Sequence, residues 1–451
     1  MLLERALRGE ASLAVAAKVL LDPRAGRTAE YWLLQLAEVA ELPEQRLRAL
    51  ELQAHIAVKA GLVDAFHRAH ADAIALSPTD PRLTARFVRA VRARSPDAAA
   101  QAIARHLAVR PNDPALLTLQ AKAESSGEAS FHATYDALKA LAEAQPGSAE
   151  IAHAFAAAAG RLHRWSEADQ LLRSAMEQIG SSTRLRQAQR LASIYAAAQA
   201  RTDAAGKSQP SVRIIYINLD RDSPRRERME QWYTAAGLPL ERLPGVLGAP
   251  LPMFVVNKIA RRPREKLQQP GTLGCFVSHV AAWERAAQAD GPTLILEDDS
   301  FPLARFGADL EAMASETRDI LFVNQRMSSG VRHPDNAPGM FGRTPLPDMV
   351  RDRGRPPLPP GGDAYILSPG GARKLLGFVE ADGLLGHVDV HMLSYCMRPE
   401  DLGVPPETVP EIRGLQRYWS AHQGDHRLEA DVLYPPLTQA LDFGQSVRAG
   451  D

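Results

Sequence analysis

The chain has 451 residues, 45% apolar and 24% charged, ordinary for a soluble protein and long enough for two or three domains with their own cores. Its 53 basic and 53 acidic side chains cancel, so overall charge gives no argument for nucleic acid or for a membrane surface as partner. The two cysteines, Cys275 and Cys396, match no metal or redox spacing and imply no disulfide framework, as expected in a reducing compartment.

At the N-terminus, Glu4, Arg5, Arg8 and Glu10 interrupt the apolar residues, which suits an amphipathic helix rather than a secretory signal. No run approaches the roughly 18 to 20 apolar residues that span a bilayer, and the expectation is a cytoplasmic protein. From about Ala29 to Ala205 the chain is rich in Ala, Leu, Arg and Gln, with apolar residues at helical spacing. Three breaks share a form, LSPTDPRL around Pro78, VRPNDPAL around Pro111 and AQPGSAEI around Pro146, spaced by 33 and 35 residues. That is the period of helix-turn-helix repeats of the tetratricopeptide type. Proline ends one helix, and Asp80, Asp113 and Ser148 stand where they can cap the next. From Ala156, the stretch AAAAGRLHRWSEADQLLRSAMEQ resembles such a unit, with Gly160 at the turn and Trp165 and Ala168 as packing positions. A tetratricopeptide-like domain over 1–205 follows, either a surface for a protein partner or dimer mate or a support for the rest. His67 and His70, three apart, read as half-buried side chains rather than as a metal pair.

Arg201 to Ser211 is small and polar, and a linker is placed at 206–211, followed by an α/β domain over 212–451. Val212 to Leu219 reads as a buried parallel strand, running into Asn218, Asp220 and Arg221 and then a helix that begins at Asp222-Ser223-Pro224 and carries Arg225, Arg226 and Arg228. Such a turn can receive a nucleotide and its phosphates, or Asp222 or Ser223 simply caps the helix above a solvated basic face. Leu240 to Val246 is a possible second strand. Lys258, Arg261, Arg262, Arg264 and Lys266 then form a basic cluster, read as an exposed loop or as a contact for anionic lipid or acceptor.

Gly271 to Phe301 holds an amphipathic helix with Ser278, His279 and Trp283, the Gly291-Pro292 turn, and the run Leu294-Ile295-Leu296 opening onto Glu297, Asp298 and Asp299. Acids at the carboxyl end of a strand in an open α/β sheet can hold a divalent cation against a phosphorylated ligand. Asp319 to Asn324 is another strand. Gln325 to Gly362 reads as a long loop whose arginines (Arg326, Arg332, Arg343, Arg351, Arg353, Arg355) can meet an anionic acceptor or a diphosphate, and whose PPLPP run is a stiff spacer.

Three blocks together resemble glycosyltransferase family 25, the lipooligosaccharide-biosynthesis type: IIYINLDRDSPRRERME; PGTLGCFVSHVAAWERA with LILEDDSF; and GGDAYILSPGGARKLL with VDVHML. The likeness runs from Val212 to about Met397. It implies a single Rossmann-like (GT-A) fold, a UDP-hexose donor, Mn²⁺ or Mg²⁺, and transfer with inversion to a saccharide or protein hydroxyl. By that resemblance Asp299 is the metal ligand, with Glu297 or Asp298 on the ribose or orienting the metal. Asn218, Asp220, Arg221 and Arg225 match a uridine and phosphate cradle, and Ser278 with His279 either touches the donor or ties helix to sheet. Inversion needs a base on the acceptor side; Asp389 is the first choice and Asp363 the second, while Asp389 also reads as a helix N-terminal acid. The family usually has His directly after this Asp; here Val390 intervenes, which weakens a metal role for His391. His387 is a further candidate. The segment VLYPPLTQALDFGQS resembles the family's closing segment. Alternatives are a silent helical-repeat interaction protein with a vestigial transferase domain, or a metal-dependent phosphohydrolase.

Overall fold

The computed structural model describes residues 2–8, 10, 12–22, 27–39, 45–60, 62–77, 80–91, 96–123, 129–180, 182–206, 212–249, 251–252, 270–332, 334, 336–353, 361–402 and 413–441. They form two compact units, Met1–Ala158 and Ala159–Asp451.

Among the described residues, the regular elements of the first unit are all helices. Ala16, Ala17, Leu36, Leu52 and Ile56 form one core cluster, and Phe66, Phe87, Val88, Ile103 and Leu116 another. The proline-marked breaks behave as capping sites. Asp80 accepts from the backbone of Arg82, Asp113 from Ala115 and Leu116, and Ser148 from Ile151, each supplying an acceptor to orphan N–H groups of a first turn. His67 and His70 sit edge-on to Phe87, with His70 also against Phe66, so both belong to an aromatic cluster.

The second unit opens with two helices, Trp165–Ile179 and Thr183–Ala205, the latter including residues 201–205 of the stretch read as polar linker. Residues 207–211 lie outside the described residues. Gly160 faces the Trp165 indole so closely that a Cβ there would collide with the ring. The pair is fastened to the α/β part by side chains. Trp165 Nε1 donates to the Leu303 carbonyl (2.5 Å), Tyr195 donates to Pro436 (2.7 Å), His163 Nε2 lies 2.8 Å from the Pro302 carbonyl, and Arg201 forks onto Asp309 at 2.8 and 3.1 Å.

Nine strands follow among the described residues: β1 (Arg213–Asn218), β2 (Glu241–Pro244), β3 (Thr293–Glu297), β4 (Ser300–Pro302), β5 (Ile320–Phe322), β6 (Gly342–Pro345), β7 (Ala364–Leu367), β8 (Ala430–Tyr434) and β9 (Thr438–Ala440). Seven make one mixed sheet, order β2-β1-β3-β7-β5-β8-β6, and β4 pairs with β9 separately. β3, β5 and β7 are buried along nearly their whole length, so they read as unbroken apolar runs rather than alternating ones. Ile215, Ile295, Phe322, Tyr365, Leu367 and Val432 pack against Leu273, Phe276, Trp283 and Ala286 of the helix Pro270–Ala287 and against Leu375 of the helix Pro369–Asp382.

The described residues within the long loop expected over 325–362 include three regular elements. Gln325–Ser328 is a short helix capped by the Asn324 side chain, Gly342–Pro345 is the edge strand β6, and Leu346–Arg353 is a helix that buries Leu346, Met349 and Val350. Those three residues have helical spacing, a signal masked by the surrounding Pro, Gly and Arg. Two of its arginines already have partners, Arg343 on the Met313 carbonyl and Arg351 on Asp348. The basic cluster at 258–266, Arg355 and the PPLPP run lie outside the described residues. Among the described residues, no helix is long and apolar enough to cross a membrane.

Candidate functional site at the carboxyl edge of the sheet

Strand direction gathers the polar residues. β1 and β3 run parallel with Ile217 opposite Glu297, so Asn218 and the acids emerge at the same edge. β7 is antiparallel to β3 with Leu296 opposite Ala364, which brings the start of β7 to that edge as well. The Glu297 N–H donates to the Asp363 carbonyl at 2.9 Å, and the Ser300 hydroxyl donates to the same oxygen at 2.6 Å. The closing segment clamps the acid turn from outside: β9 pairs with β4, and the Leu441 N–H donates to the Asp299 carbonyl.

The three consecutive acids differ in what holds them. Asp298 is buried and both its oxygens are engaged, Oδ2 by Asn218 Nδ2 and Oδ1 by Arg225 NH1, each at 2.8 Å. Burial still raises its pKa, against the opposing pull of Arg225 and Asn218. Asn218 is itself held by Arg242, which also pairs with the exposed Asp220. Asp298 therefore welds the turn after β1 to the turn after β3.

Asp299 and Asp363 are different. Asp299 Oδ1 and both carboxylate oxygens of Asp363 are buried with no hydrogen-bond partner. Burial, with the neighbouring charges of Glu297, Asp363 and Asp298, pushes the Asp299 pKa up to about 8. Burial raises that of Asp363 to about 6, Arg326 working against it and Glu297 and Asp389 with it. Unpartnered acids that repel one another form a site short of positive charge, which a proton or a cation can supply. This donor set, all oxygen, fits a hard divalent cation held by two carboxylates and completed by ligand oxygens or water.

Beside the acids lies a pocket lined by Asn218, Arg221, Arg225, Gly248, His279 and Glu297, among others. Its wall is made by close backbone approach: a Cβ on Gly274 would collide with the Val246 carbonyl, and one on Gly248 with that of Pro270. Ser278 ties this wall together, accepting from the Val246 N–H at 2.8 Å and donating to the Gly274 carbonyl at 2.7 Å. His279 is buried, with Nδ1 2.9 Å from the Tyr365 hydroxyl and Nε2 3.4 Å from Glu297 Oε1. Trp283 Nε1 donates to the same hydroxyl oxygen. Burial works against a charge on the His279 ring, but Tyr365, Cys275 and Glu297 together raise its pKa well above the ordinary value.

Asp389 lies in the first turn of the helix Val388–Cys396, as its reading as a helix N-terminal acid has it, and is half-buried. Gly362 stands between it and His279, since a Cβ there would lie 3.8 Å from Asp389 Cβ and 3.7 Å from His279 Cε1. His387 is the exposed residue preceding this helix. His391 is set apart from the acids. Its ring is fully buried, stacked on Phe276, with Nε2 2.7 Å from the Tyr395 hydroxyl, which donates to Asp382. Burial and then His422 hold its pKa down to about 3. Four features were missed from sequence alone: Arg242 under Asn218, Tyr365 behind His279, Arg326 beside Asp363, and Cys275 in the pocket wall. Only the spacing of Cys275 four residues before His279 was visible.

The fold and site together define an α/β domain with a ligand pocket at the carboxyl edge of its sheet. Residues 212–390 match the family described as Glycosyltransferase family 25 (LPS biosynthesis protein). Proteins described as "Glycosyltransferase 25 family member" are similar over shorter stretches. That of Drosophila pseudoobscura pseudoobscura is 32% identical over 117 residues, 24% of this chain and 19% of that protein. That of Anopheles gambiae is 34% identical over 103 residues, 21% of this chain and 17% of its own length. For Drosophila melanogaster the figures are 33% over 96 residues, 19% and 16%. The matched stretches thus span under a fifth of these relatives' length.

Proposed function

We propose that this protein is a metal-dependent inverting glycosyltransferase that moves a hexose, galactose or glucose, from a UDP-sugar to a hydroxyl of a saccharide or protein acceptor. The observation that carries the reading is the meeting, at one sheet edge of the family-matched segment, of a basic turn (Arg221, Arg225) with the unpartnered carboxylates of Asp299 and Asp363. Asp299 and Asp363 are the residues that would hold Mn²⁺ or Mg²⁺, which neutralises charge on the departing diphosphate when bound. Asp298 serves as a strut, its oxygens already committed, and Asn218 and Arg225 keep the turn after β1 shaped for the nucleotide. Glu297 faces the pocket, oriented by His279. Asp389 takes the acceptor proton: it is half-buried, where a hydroxyl can reach it, and Asp363 is given to the cation. His391 has no part in this arrangement.

The sheet is read as GT-A-type, the helical N-terminal region as tetratricopeptide-like and a platform for an acceptor, partner or dimer mate, and the location as cytoplasmic, with peripheral contact at the inner face of the membrane. Thermal-shift measurements with UDP-, GDP- and CMP-sugars plus Mn²⁺ test the reading. A UDP-hexose should raise Tm in wild type and not in Asp299→Ala. Stabilisation by none of these donors would contradict it, and release of inorganic phosphate from simple phosphoesters would favour a phosphohydrolase instead.

A further inference from the structure

Among the described residues, one set of three potential ligands of mixed chemistry comes together: the Cys275 thiol, a His279 nitrogen and a Glu297 carboxylate oxygen, all within 4.8 Å of one another. Cys275 and His279 are four residues apart on the helix Pro270–Ala287 and so share a face, while Glu297 ends β3 opposite them. All three line the pocket beside the acids. We infer that Cys275, His279 and Glu297 form a binding site for a thiophilic divalent cation of the Zn²⁺ class, separate in ligand set from the oxygen-only site of Asp299 and Asp363.

Three features carry this. Sulfur, imidazole and carboxylate together suit Zn²⁺ or Co²⁺ and not Mg²⁺, which takes oxygen ligands. The geometry leaves one side open, because the pocket lies against all three residues, so a fourth ligand can be water or an oxygen of whatever occupies the pocket. Behind the ring, Tyr365 stands at Nδ1, and Trp283 fixes the phenol oxygen from the far side. A ligating histidine is ordinarily held in this way by a partner at its other nitrogen. Binding through Nε2 releases any proton there to solvent and leaves the ring's remaining proton on Nδ1, beside the Tyr365 oxygen, and the Cys275 thiol likewise releases its proton to solvent. Thiolate and carboxylate then balance the charge of the cation.

This inference stands without the transferase reading, and its test needs no activity. The metal-stripped full chain is titrated with Co²⁺. One equivalent should produce a thiolate-to-cobalt charge-transfer band that Zn²⁺ abolishes and excess Mg²⁺ leaves in place. Cys396→Ser should keep the band and Cys275→Ser should lose it, and Glu297→Gln should weaken Co²⁺ binding by about tenfold or more. In wild type, Zn²⁺ should also slow alkylation of Cys275, read by peptide mass mapping, so that the site is tested even where a variant folds poorly. No charge-transfer band in wild type, a band retained in Cys275→Ser, or alkylation of Cys275 unaffected by Zn²⁺ would each overturn the inference.

Discussion

Replacing Trp165 with alanine tests whether the helices over 165–205 are structural members of the α/β unit. The indole is 8% exposed, packs against Tyr195 in a tilted arrangement with ring centroids 4.5 Å apart, fills the space before Gly160, and donates to the Leu303 carbonyl immediately after β4. Truncating a buried aromatic of this size costs about 3 to 5 kcal/mol, and a buried carbonyl left without its donor adds about 1 kcal/mol. Against a typical stability of about 5 to 15 kcal/mol, the variant should lose a large fraction of its stability. Urea denaturation of the full chain is followed by tryptophan fluorescence, to which Trp232, Trp283 and Trp419 contribute from the α/β part and Trp32 from the first unit. The transition should move to lower urea with its slope retained. A loss below about 1 kcal/mol would refute the reasoning. By the same logic a fragment beginning at residue 159 should fold, and one beginning at residue 212 should not.

Stability without metal should fall as pH rises from about 4 to about 8, because Asp363 and Asp299, with folded pKa values of about 6 and about 8 against an unfolded value near 4, bind protons in the native state that the unfolded chain has released. Asp363→Asn should remove part of that slope, stabilising the protein by up to about 3 kcal/mol at pH 8 and hardly at all at pH 4, as read by urea midpoints at the two pH values. Gly274→Ala should cost about 1 to 3 kcal/mol and distort the pocket wall, because the new methyl meets the Val246 carbonyl backbone; calorimetry and UDP binding should both register it. Arg225→Ala leaves Asp298 without its cation, which should cost about 1 to 3 kcal/mol and weaken nucleotide binding by titration calorimetry.

Much of this fold was legible because each element carried its own local signal. The strand over 213–218, the helix beginning at Ser223, whose N-cap residue Asp222 makes no side-chain cap bond, the apolar run into Glu297 and the helix starts capped by Asp80 and Asp113 all rest on neighbours in sequence. The elements within 325–362 were hidden because Pro, Gly and Arg outnumber the three apolar residues that bury their helix. The fastening of the helices over 165–205 to residues 302–309 and 436 is a long-range packing fact with no periodic signature. In the site, residue types pointed to the acid turn, but their division of labour did not show. That Asp298 is a strut while Asp299 is unpartnered depends on Asn218 and Arg225, about 75 residues away in the chain. Asp363 reaches Glu297 only because β7 runs antiparallel beside β3, and His391 falls away from the acids because Val390 turns it onto the inner face of its helix, against Phe276.

The most direct measurement is Mn²⁺-dependent UDP-hexose turnover, by transfer or by hydrolysis, in wild type and Asp299→Ala side by side. A cation held at the acid turn predicts metal-dependent turnover in wild type and a loss of about a hundredfold or more in the variant. Equal rates in the two proteins, with or without Mn²⁺, would contradict it.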